Sequence, residues 1–152
     1  MPPPGALLSR RRRVGAALLG AGLLAVLAIP ALPAWRTVYP DRVALRPGGQ
    51  LLWVVLPWAL VCGLVAVVSL ARVGPSRWLW RDVSRGLLVS TVLAGGVATA
   101  GWWYFSATDP YAREAGLVST GPGAGALLAL LGCLLIPLAG ALPDDPSPGR
   151  GS

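Results

Sequence analysis

The chain has 152 residues, 55% hydrophobic and only 12% charged, with a net charge of +7 that comes from arginine alone set against six carboxylates. A soluble domain of this length is less apolar and about twice as charged. The basicity does not point to nucleic acid, because the arginines lie between apolar blocks and form no groove with interleaved aromatics. With no histidine, His-ligated haem, His-dependent metal sites and His acid–base catalysis are excluded within the chain.

In chain order, the opening MPPPGALLS is Pro-rich, and with Arg10, Arg11, Arg12 and Arg13 it predicts a disordered basic segment over residues 1–13. The first apolar run is Val14 to Ala34, and it carries no charge. It is longer than the apolar core of a secretory signal, and Leu32-Pro33-Ala34 lacks the small first residue of an A-x-A cleavage site. A retained membrane span is expected. Trp35 to Gln50 form a short connection broken by Pro40, Pro47, Gly48 and Gly49, too small for a domain but long enough for a hairpin.

The second run, Leu51 to Ala71, contains Pro57 and Cys62. The stretch RVGPSRWLWRDVSR follows, with Arg72, Arg77, Arg81 and Arg85. Pro75 suits the first turn of a helix. Four-residue spacing puts Arg77, Arg81 and Arg85 on one face, expected to meet anionic headgroups while Trp78 and Trp80 anchor at the boundary. The third run is Gly86 to Phe105. Its following connection holds Asp109, Pro110, Tyr111, Arg113 and Glu114. The fourth run, Ala124 to Leu142, contains Cys133 and Pro137, and a disordered tail is expected over residues 143–152.

Each run is apolar all round and close to the roughly 20 residues that cross about 30 Å of hydrocarbon. The alternation of a membrane barrel is missing, and four strands cannot close one. The fold class read from the sequence is therefore an all-α membrane protein, with four transmembrane helices in an up-down bundle, over about 14–34, 51–71, 86–105 and 124–142. Arginine is densest before the first run and between the second and third, which predicts both termini inside. Trp35, Trp53, Trp102 and Trp103 then fall near the outer boundary, and Trp78 and Trp80 near the inner one, as interfacial anchors.

Lipid gives helices little drive to associate, so small residues mark where they approach. Ser90, Thr91, Ala94, Gly95, Ala98 and Thr99 predict a central third helix, with Ala59 and Gly63 packing from the second. The three hydroxyls are expected to bond carbonyls one turn back or a neighbouring helix. Trp58 is deep enough to face such a neighbour.

No charged residue lies within a run, and no phosphate loop or nucleophile elbow occurs. Cys62 and Cys133 could pair, but buried thiols without a basic neighbour are inert. No catalytic, cofactor or metal residue is expected. Arg36, Tyr39, Asp41, Arg42 and Arg46, with Asp109, Tyr111, Arg113 and Glu114, supply the polar outer surface. Arginine-only basicity with abundant Ala, Gly and Pro suggests a GC-rich bacterial source and a multi-pass protein of the inner membrane. The function expected is a non-enzymatic accessory or scaffold subunit. Its partners would be membrane lipids and other membrane subunits or further copies of itself. The alternative is a transporter or channel component lined by Ser90, Thr91 and Thr99.

Overall fold

The computed structural model describes residues 10–71, 76–108, 114, 116 and 119–143. Expectations for residues 1–9 and 144–152, and for Arg72, Pro75, Asp109, Pro110, Tyr111 and Arg113, lie outside these, as does the side chain of Arg77. In chain order the elements are α1 (Arg10–Ala28), a 3-10 turn (Ile29–Ala31), β1 (Pro33–Val38), β2 (Val43–Pro47), α2 (Gly49–Ala71), α3 (Ser76–Thr108), β3 (Ser119–Pro122) and α4 (Ala124–Ala141). The protein is mostly helical, and among the described residues four helices are long and apolar enough to cross a membrane.

Each helix is set by an uninterrupted apolar run, because in lipid a backbone must satisfy its own polar groups. The second and fourth runs match α2 and α4 within two residues at either end. The first starts earlier than expected, at Arg10, so the four arginines are helical rather than disordered. It also ends earlier: Pro30 opens the 3-10 turn, and Leu32 is already extended (φ −124°, ψ 152°). The third helix has 33 residues, about 50 Å long at 1.5 Å per residue. It takes in most of the arginine–tryptophan stretch as well as its apolar run.

The two connections, expected to be too small for domains but able to hold a short hairpin, form one small antiparallel sheet, with β1 between β2 and β3. Pro40 and Asp41 turn the chain, and Tyr39 N donates to Arg42 O at 2.8 Å. β1 aligns Thr37 with Ala44 on one side and with Thr120 on the other. Glycines make its corners: a Cβ on Gly48 would strike Ile29 O, and one on Gly123 would strike Pro33 O. Gly48 N donates to Leu32 O at 3.0 Å and Gly123 N to Ala34 O at 2.9 Å, so both loops are stitched to the chain entering the sheet. Trp35 ties the sheet to α3. Its Nε1 donates to Thr120 Oγ1 at 2.6 Å, and its ring centroid lies 4.5 Å from that of Trp102.

The helix at the centre is α4, not α3 as the count of small residues suggested. Buried residues make up 44% of the apolar stretch of α4 and 11% of that of α3. α4 packs on each of the other three helices. Towards α1, a Cβ on Gly132 would lie 2.7 Å from Val26 Cγ2 and 3.0 Å from Gly22 O. Near its end, a Cβ on Gly140 would meet Ser84 Oγ of α3 and come within 2.9 Å of Ala66 Cα of α2. Such approaches give the dense dispersion contact that lipid tails alone do not drive. The core between these crossings holds Val26, Ile29, Val55, Ala59, Cys62, Ala129 and Ile136.

Arg11 closes the bundle at one end. It is 6% exposed. Its Nε donates to Leu142 O at 3.0 Å, Nη1 to Ser69 O at 3.5 Å, and Nη2 to Ser69 Oγ at 3.2 Å and Gly140 O at 3.5 Å. Ser69 Oγ in turn donates to Gly140 O at 2.8 Å. The guanidinium thus meets carbonyls at the C-terminal ends of both α2 and α4, where unsatisfied carbonyls concentrate partial negative charge. A residue expected only to mark the inner leaflet also caps two helices.

Two outcomes follow for thermal unfolding in detergent. Arg11→Ala is expected to destabilise by about 1.5–3 kcal/mol, the scale of hydrogen bonds from a charged donor, while exposed Arg10→Ala changes stability by less than about 0.5 kcal/mol. Gly132→Ala is expected to cost about 1–3 kcal/mol through overpacking. Gly96→Ala, with nothing within 4 Å of the added Cβ, is expected to leave the melting temperature undiminished.

Candidate functional site

The predicted packing residues of α3 divide between two faces. Thr91 is buried, and Gly95 is half-buried. Ser90, Ala94, Ala98 and Thr99 are exposed. On α2, Ala59 is buried in the core and Gly63 is half-buried. Four-residue spacing places Thr91, Gly95 and Thr99 on one row, buried at Thr91 and open at Thr99, and Ser90, Ala94 and Ala98 on the next, which is exposed throughout.

Inside, Trp58 faces α3 as expected. Its Nε1 donates to Thr91 Oγ1 at 3.0 Å, and Thr91 Oγ1 donates to Leu87 O at 2.8 Å. An indole N–H in hydrocarbon thereby finds an acceptor, and the acceptor's own proton returns to its helix. Thr99 makes the same return, from Oγ1 to Gly95 O at 2.7 Å, but on the exposed side. The hydroxyls proposed for a polar lining therefore do not converge: Thr91 is bonded to Trp58 of α2, Thr99 opens on the α4 side near Leu130 and Leu134, and Ser90 is exposed elsewhere on α3. Cys62 and Cys133 are free thiols, Cys62 in the core and Cys133 packed against it.

The arginine face of α3 also divides. Arg85 is exposed and meets Asp82 at 3.3 Å. Arg81 is only 9% exposed, with its guanidinium 4.7 Å from the Trp78 ring centroid, a cation–π distance. Three positions further, Ser84 lies on the same inward face, fully buried against Gly140. Of the expected anchors, Trp53, Trp78, Trp102 and Trp103 are exposed, and Trp35 and Trp80 are half-buried. Across the sheet, Arg36 and Arg46 are exposed, and Arg42 lies 5.3 Å from the ring centroid of Tyr39.

An open concavity runs between α3 and α4. It is a groove of ≈ 510 Å³ lined by Val92, Gly95, Gly96, Thr99, Ala100 and Trp103 of α3, with Leu130 and Leu134 of α4. The glycines make it. Gly96 has nothing within 4 Å of where a Cβ would stand, and Gly95 would meet only Leu130 Cδ1, at 3.2 Å. This lateral face is the candidate functional site, and its chemistry is that of helix packing: it offers close backbone approach and no nucleophile or acid–base pair.

Groove and bundle together define a protein with, among the described residues, four helices able to cross a membrane, of which α3 is the least covered. No family model matches the chain, and no curated protein or solved structure matches it.

Thr91→Val keeps the shape of the side chain but removes the acceptor for Trp58. In detergent it is expected to cost about 0.6–1.7 kcal/mol, the range of interhelical hydrogen bonds in membranes, while Thr99→Val on the exposed side costs less than about 0.5 kcal/mol. Paired thermal melts of the two variants check this.

Proposed function

We propose that this protein is a non-enzymatic accessory or scaffold subunit of a larger complex in a bacterial inner membrane, packed against its neighbours through α3. One observation carries the reading. The apolar stretch of α3 has a mean hydropathy of 1.4, against 2.2 to 2.6 for the other three, yet α3 is the least buried of the four. A helix left to lipid is expected to be the most apolar of a bundle. Here the least apolar one is the least covered, and beside its exposed Val89, Leu93 and Val97 runs a row of small residues, Ser90, Ala94 and Ala98, that lets another helix approach.

The arrangement we propose is an up-down bundle with both termini inside. The pairing of β1 with β3 supports it, because it joins the α1–α2 connection to the α3–α4 connection. So do the bonds from Arg11 at the start of α1 to the ends of α2 and α4. The arginines of α1 and of the start of α3 favour the inner leaflet for that end.

Purification in mild detergent at native expression tests the assembly. The wild type is expected to bring down a stoichiometric membrane partner, and Ala98→Leu and Gly96→Leu to lose it while melting as the wild type does. A wild type that runs as a clean monomer would overturn the reading. Orientation has its own test. In a Cys62→Ala, Cys133→Ala background, a membrane-impermeant maleimide added to intact cells is expected to label Arg46→Cys and spare Arg85→Cys until the cells are opened.

A further inference from the structure

We draw no further inference here: the strongest candidate, the open apolar groove between α3 and α4 beside Trp103, belongs to the lateral face already described, and nothing in the structure shows whether a second copy, another subunit or lipid covers it.

Discussion

The close backbone approach of α4 to its neighbours is the constraint on which the bundle depends. In water, four apolar helices would be driven together by the area they hide. In hydrocarbon that drive is absent, and association follows from how well surfaces fit. The buried residues of α4 include Gly125, Ala129, Gly132, Ile136, Ala139 and Gly140. Their steps of three and four residues form a stripe along one side. Gly132 seats the α1 side against Val26 and Gly22, and Gly140 seats α2 and α3 against Ala66 and Ser84. Because one helix serves all three contacts, the other three need not pack closely on one another. That is why α3 can touch α4 and α2 and still be mostly uncovered.

The same constraint governs the ends. Where a helix stops near the membrane boundary, its last carbonyls need donors. Arg11 supplies them to α2 and α4 together, and Ser69 adds a bond to Gly140 O. At the opposite end of these helices, where N–H groups rather than carbonyls are left over, the entering chain is bonded to the segment that leads into and forms β1: Gly48 N donates to Leu32 O and Gly123 N to Ala34 O. One end is thus closed by a charged side chain from the first helix, and the other by backbone ladders. Both devices connect segments far apart in the chain.

This distance in sequence also decides what could be read in advance. The four spans were legible because a charge-free apolar run of about 20 residues has few other fates. Trp58 was legible because its depth forces an indole N–H to seek an acceptor. The sheet was not, since β3 is four residues long and its register with β1 is a long-range property; only Pro40-Asp41 between short alternating segments signalled a hairpin. The central helix was misread for a different reason. Counting small residues on α3 ignored which of two adjacent rows turns inward, whereas the three-and-four stripe on α4 was present in the sequence all along. Arg11 could not be told from Arg10, Arg12 and Arg13, because a run of four identical residues gives every face of the helix the same side chain.

The uncovered row of α3 therefore calls for an explanation that the bundle does not provide. The exposed hydroxyl of Thr99 is not stranded, since it returns its proton to Gly95 O. The uncovered row is Ser90, Ala94 and Ala98, residues that present little side chain, and it runs beside the exposed Val89, Leu93 and Val97. Against fluid acyl chains such a surface makes poor dispersion contact, because the atoms that would meet the lipid are missing. Against another helix the same absence is an advantage, since it lowers the distance at which two backbones can meet. Trp103 at the rim and Leu130 and Leu134 along the far wall complete a slot with one soft side and one open side. A helix surface of this kind is unfavourable in isolation and favourable in an assembly, and that asymmetry is the physical content of assigning α3 to an interface.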